Sequence, residues 1–131
     1  MTDTEPCKVL IVEDSAVFRQ LLKSALCSHF PTLDVIEAED LADGHRKACQ
    51  HRPAVVFVDI RLPDGNGLDL AERIRQDRLA GTVAVCTSHD LPEYRQAALQ
   101  RGASLFLAKQ CLDWDEVVSF AEEALARKTK R

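Results

Sequence analysis

Short apolar runs alternate with amphipathic stretches five times along this chain. KVLIV (8–12) is a compact β-type run, after which Phe18, Leu21, Leu22, Ala25 and Leu26 recur at helical spacing. LDVIEA (33–38) reads as a second strand and 41–51 as a weaker helix, with Asp40 and Asp43 as a capping pair at its start. In AVVFVD (54–59) the apolar residues do not alternate with polar ones. Both faces of this third strand are therefore expected to be buried, as in a parallel sheet covered by helices on each side. A DGNG turn leads into LDLAERIRQ, a third helix. TVAVCT (82–87) is a fourth strand and LPEYRQAALQR a fourth helix, with Gly102 placed to stop it. SLFLAK (104–109) is the fifth strand. Asp113 opens the last helix, with Glu116 completing a capping box and Val117, Val118, Phe120, Ala121, Ala124 and Leu125 on its apolar face.

Strands alternating with helices of this length imply βαβ units, a parallel sheet and right-handed crossovers. The predicted fold class is α/β: a doubly wound (βα)5 three-layer sandwich around a five-stranded parallel sheet. At 131 residues the chain is expected to form one domain. Its bounds are read as 8–126, with a disordered N-terminal tail over 1–7. Residues 127–131, RKTKR, read as a basic tail, a solvated helix end or the start of a linker.

Ligands of open parallel sheets bind beyond the carboxyl ends of the strands. Strand one ends in Glu13-Asp14, strand three in Asp59, strand four in Thr87-Ser88 and strand five in Lys109. Three carboxylates, a hydroxyl and an ammonium are thereby predicted to meet at one edge of the sheet. Carboxylates so close repel one another unless a cation sits among them. Mg²⁺, which takes one or two carboxylates, water and a phosphate oxygen, is the expected cofactor. Lys109 has the wrong sign for a purely cation-binding site and fits one that also holds an anion such as a phosphoryl group. Thr87 can donate a hydrogen bond to that anion, and a carboxylate can be the nucleophile that forms an aspartyl phosphate. The metal and Lys109 would neutralise charge on the transferring group.

Composition narrows the field further. A net charge of −4 argues against non-specific nucleic-acid binding by this domain. Met1 to Pro6 carries two acids and no apolar stretch, so it reads as neither a signal peptide nor an anchor, and a cytoplasmic location is expected. The five cysteines are scattered without a CxxC pair, and the histidines do not fall at zinc-ligand spacing beside them. They read as buried small hydrophobes or surface thiols. Asp64 and Asp69 lie in or just after the DGNG turn, where local hydrogen bonding and the helix dipole account for them.

VLIVEDS with its acidic pair, VDIRLPDGNG, VCTS, GAS and FLAK occur in this order, each at a strand end or its expected place. Together they resemble the receiver domain of two-component response regulators, over residues 8 to about 126. The resemblance implies the flavodoxin-like strand order 2-1-3-4-5. It implies Asp59 as the phosphorylated residue, Asp14 as a direct Mg²⁺ ligand, Glu13 as a ligand through water, and the backbone carbonyl of Arg61 as a further ligand. Lys109 would pair with the phosphoryl group and Thr87 would move toward it. Phe106 would fill an aromatic switch position, turning inward as Thr87 moves. The implied phosphoryl donors are a sensor histidine kinase, a phosphotransfer protein or a small donor such as acetyl phosphate. The implied output surface is the fourth helix, fifth strand and fifth helix, about residues 90 to 125. It would be read by an effector protein or a covalently linked output domain, with homodimerisation on phosphorylation left open. No membrane partner is implied, and the domain is expected to be a signalling module rather than an enzyme.

The family usually has proline after the strand-five lysine, often with a cis bond. Gln110 stands there. A non-proline cis bond costs about 3 kcal/mol or more, so a trans bond and a different loop are expected. Other readings weigh less. Haloacid-dehalogenase-like and toprim-like phosphatases or nucleases need a second acid two residues after the strand-end aspartate, where this chain has Arg61. A flavin-binding module would want a Ser/Thr/Gly-rich loop in place of EDSAVF. A receiver-like module that works by contact without phosphorylation stays open through Gln110. So does the N-terminal part of a DNA-binding regulator.

Overall fold

The computed structural model describes residues 7–129, with side chains through Ala126. The expected 1–7 tail, Cys7 apart, lies outside the described residues, as does the end of the 127–131 tail. Five strands, β1 (Lys8–Val12), β2 (Asp34–Ala38), β3 (Val55–Asp59), β4 (Thr82–Thr87) and β5 (Leu105–Ala108), form one sheet. Five helices follow them: α1 (Ala16–His29), α2 (Leu41–His51), α3 (Gly67–Gln76), α4 (Pro92–Gln100) and α5 (Trp114–Thr129). The spatial order is β2-β1-β3-β4-β5 and every pair is parallel, as expected.

The unbroken apolar runs have the reason the sequence suggested. Side chains of a strand alternate between faces, and here each face is covered by helices. Leu10, Val12, Val56, Val58, Val83 and Val85 point to a core layer shared with Ala48 of α2, Leu70, Ala71 and Ile74 of α3, and Ala98 of α4. Val9, Ile11, Val55, Phe57 and Ala84 point the other way, onto Leu22 and Leu26 of α1 and Val117 and Ala121 of α5. Phe57 packs edge-on against Phe120 of α5, with ring centroids 6.1 Å apart at 76°. Burying each such large side chain contributes about 2 kcal/mol, which holds the strand ends at fixed heights.

Polar residues set the helix starts. Ser15 Oγ accepts the Phe18 amide, Asp40 Oδ1 the Asp43 amide, and Asn66 Oδ1 the Leu68 amide. Asp113 Oδ1 accepts the amides of Asp115 and Glu116, so Asp113 caps the last helix, without the return bond to Glu116 that the expected capping box would add. α4 ends at Gln100, and Gly102, two residues on, takes a φ of 102° where glycine is favoured. The DGNG segment is more ordered than a plain turn: Arg61–Leu62 and Gly65–Asn66 pair as a short antiparallel ribbon. No helix among the described residues is long and apolar enough to cross a membrane.

Candidate functional site

The registers bring the predicted polar residues to one edge. Asp59 pairs with Cys86 and Thr87 with Ala108, so the carboxyl ends of β3, β4 and β5 stand side by side. Glu13 and Asp14 follow Val12 at the end of the neighbouring β1. β5 closes at Ala108, one residue earlier than expected, and Lys109 begins a single 3-10 turn, Lys109–Cys111.

Carboxylate oxygens of Glu13, Asp14 and Asp59 all lie within 4.8 Å of one another. Glu13 is 2% and Asp59 7% exposed, whereas Asp14 faces solvent. Lys109 enters between the two buried acids, with Nζ 2.6 Å from Glu13 Oε1 and 3.2 Å from Asp59 Oδ2. The second Glu13 oxygen accepts the Ser15 amide at 3.0 Å. Burial pushes the Glu13 carboxyl above its ordinary value, outweighing the opposing pull of Lys109. For Lys109, burial works against the ammonium, but the bond to Glu13 and the charge of Asp59 outweigh it and hold the group above its ordinary value. A cluster of hard oxygen donors, one of them open to solvent, is a donor set suited to a divalent cation such as Mg²⁺.

Thr87 is 1% exposed, and its Oγ1 accepts the His89 amide at 3.0 Å. Phe106, 6% exposed, already points inward, with the Arg95 guanidinium 4.7 Å above its ring. Arg61 opens the ribbon two residues after Asp59, with its side chain exposed and its backbone paired to Asn66. His89 is exposed beside the site. The peptide bond before Gln110 is trans, as expected, since no cis bond occurs among the described residues. The loop has its own tether: Gln110 Nε2 donates to the Ser88 carbonyl, joining the β5–α5 loop to the loop after β4.

Four contributors were not visible as such in the sequence. Phe18 was read only as a core position of α1, yet its ring lies against Lys109 Nζ, 4.6 Å from centroid to nitrogen. Arg19 donates to the Glu13 carbonyl at 2.7 Å and to Glu37 Oε1 at 2.8 Å, fastening the acidic loop to β2. Asp64 is structural, as expected, but its partners are remote: it accepts the amides of Leu41 and Ala42 at 2.8 and 3.1 Å, at the start of α2. Asp69 likewise has a tertiary partner, Arg101, which also binds Glu72. A run of consecutive residues carries no signal for such partners, which only the packing of helices and loops around the sheet brings together.

The arrangement of two β1 acids, a β3 aspartate, a β4 threonine and a lysine after β5 agrees with sequence comparison. The profile of the response regulator receiver domain family matches residues 9–121. The chain belongs to that family. It is a receiver domain of the two-component response regulators, a class of signalling domain. The KDP operon transcriptional regulatory protein KdpE of Escherichia coli (strain K12) is 36% identical over 101 residues, 77% of this chain and 44% of that protein. A protein-glutamate methylesterase/protein-glutamine glutaminase of Geobacillus kaustophilus (strain HTA426) is 38% identical over 104 residues, 78% of this chain and 30% of that protein. The structure of a signal receiver domain from Mycobacterium tuberculosis superposes with a TM-score of 0.79 at 30% identity, covering 91% of this chain and 95% of that one. The receiver domain spans less than half the length of the two full-length relatives. Receivers of this family bind Mg²⁺ at an acidic pocket, and Glu13, Asp14 and Asp59 form such a pocket here.

Proposed function

We propose that Asp59 accepts a phosphoryl group from a histidine kinase or phosphotransfer protein and that the modified receiver signals through α4, β5 and α5. The observation that carries this reading is the approach of Lys109 to Asp59 in a pocket with two further carboxylates. An Asp59 carboxylate oxygen attacks the donor phosphorus. A P–O bond forms, the P–N bond to the donor histidine breaks, and the electron pair stays with the imidazole. Lys109 Nζ leaves Glu13 to hold a phosphoryl oxygen, and Thr87 Oγ releases the His89 amide to donate to another. Phe106, already inward beneath Arg95, is the aromatic neighbour of that shift rather than a ring that turns in with it. Asp14, Asp59, Glu13 through water and the Arg61 carbonyl would hold Mg²⁺, which when bound supplies neutralising charge to the transferring group.

The receiver performs no other chemistry in this reading and works in the cytoplasm as the front part of a longer regulator. The resemblance to a transcriptional regulator supports a linked DNA-binding domain as the output, with pairing of two copies on phosphorylation. A second reading, contact signalling without phosphorylation, is favoured by Gln110, whose bond to Ser88 restrains the loop after β4.

Intact-mass spectrometry after incubation with acetyl phosphate and Mg²⁺ separates the two. A hydroxylamine-labile adduct that needs Mg²⁺ and is missing in Asp59→Asn is the expected result. A folded protein that gains no adduct and binds no beryllofluoride would support contact signalling instead.

A further inference from the structure

Lys109 Nζ has three N–H donors and no acceptor. Carboxylates take two sides of it, Glu13 at 2.6 Å and Asp59 at 3.2 Å. The Phe18 ring covers a third, with its centroid 4.6 Å away. The Lys109 side chain is only 13% exposed, so little water competes with these contacts. An ammonium over an aromatic face is held by the ring quadrupole, more strongly as water is excluded.

The ring is itself fixed. Phe18 sits in the first turn of α1, directly after the Ser15 cap whose oxygen accepts its amide. It stacks on Trp114 of α5 with centroids 6.4 Å apart and planes 28° from parallel. Turning the ring away from Lys109 would break that stack, so α1 and α5 together hold the aromatic face where it is.

Glu13 serves two cations in turn. It is the closer partner of Lys109 and one of the three carboxylates of the cation cluster. A divalent ion entering the cluster draws a Glu13 oxygen toward one of its water ligands and so competes with Lys109 for that carboxylate. Whatever stabilises the ammonium in its present place therefore opposes metal entry. The geometry points to Phe18, backed by Trp114, as a positioning residue that holds Lys109 on Glu13 and so sets the divalent-cation affinity of the acidic pocket. This rests on the reading of Glu13, Asp14 and Asp59 as a Mg²⁺ site.

The test is calorimetric titration with Mg²⁺ of the wild type, Phe18→Leu, Phe18→Met and Phe18→Tyr, each also combined with Lys109→Met. Leu and Met keep apolar bulk without a π face, so either variant suffices if the other fails to fold. The expected result is Mg²⁺ binding about fivefold tighter in Phe18→Leu and Phe18→Met, with wild-type affinity kept in Phe18→Tyr. In the Lys109→Met background the Phe18 substitutions should change nothing, which a purely structural role for the ring would not produce. Unchanged or weaker affinity in Phe18→Leu, or the same gain without Lys109, would overturn the inference while leaving the metal site intact. A wild type that binds no Mg²⁺ would overturn the metal-site reading, and this inference with it.

Discussion

Lys109 is paired more closely with Glu13 than with Asp59, at 2.6 Å against 3.2 Å. The resting pocket is thus only partly neutralised, by one lysine shared unequally between two buried acids, with the closer contact made to the residue that does not receive the phosphoryl group in our reading. Lys109→Met would leave Glu13 and Asp59 buried without a counter-charge. Breaking a buried pair from one side costs about 3 kcal/mol. Urea denaturation at pH 7.5 without divalent ions should show a loss of that order, and a loss under about 1 kcal/mol would mean the pair is relaxed by water.

The sign of the pH dependence follows from Glu13. Its carboxyl is raised above the usual 4.5 in the folded chain, first by burial and against the pull of Lys109. The folded state therefore binds more protons than the unfolded one between 4.5 and the raised value. Stability from this group is present below 4.5 and lost as pH rises through the folded value. Melting temperatures of wild type and Glu13→Gln should diverge in favour of the variant as pH rises above 4.5. A constant difference would show that Glu13 titrates normally.

Gly67 is required by a close approach. A Cβ there would stand 1.8 Å from the Asp59 carbonyl oxygen, where neither partner is a flexible side chain. Gly67→Ala should cost about 3 kcal/mol through forced backbone displacement, measured by thermal or urea unfolding. A near-neutral result would require the ribbon to shift freely, with the Gly67 amide abandoning its 2.7 Å bond to the Ile60 carbonyl.

Asp64 fastens the loop after Asp59 to the start of α2. Asp64→Ala should speed amide hydrogen exchange at Leu41 and Ala42 several-fold while leaving the amides of β3 protected. Asp64→Asn, which keeps an acceptor oxygen, should recover part of the protection. Exchange unchanged in Asp64→Ala would assign the capping of α2 to Asp40 alone.

The cysteines differ in environment. Cys86 is 2% exposed, and burial pushes its thiol well above the ordinary range. Cys49 and Cys111 are exposed. Iodoacetamide at pH 8 should alkylate Cys49 and Cys111 first and leave Cys86 unmodified until the protein is unfolded, read by peptide mass spectrometry. Early labelling of Cys86 would mean that β4 opens locally in the native state.

Several elements were legible in advance because their causes act over a few residues. The non-alternating run Val55–Val58 announced a strand buried on both faces, and Asp40 and Asp113 stand at helix starts as caps. The polar strand ends could be listed without coordinates, since in a parallel sheet they share one edge. Illegible were Phe18 on Lys109, Arg19 on the Glu13 carbonyl, Asp64 on α2 and Gln110 on Ser88. No periodicity or spacing relates these partners. Asp64 and Leu41, for instance, are 23 residues apart and belong to different βα units.

By itself the chain determined the alternation of strands and helices, the two apolar faces of the sheet and the identity of the acids, the threonine and the lysine at its edge. Those follow from side-chain hydrophobicity and backbone preference read locally. Only the tertiary structure decided how the charges are shared: Glu13 rather than Asp59 as the nearer partner of Lys109, an aromatic face from α1 against the ammonium, and Phe106 turned inward beneath Arg95. The reason is that such pairings depend on distances of a few ångströms between elements, set by how five strands and five helices pack and not by the order of residues within any of them.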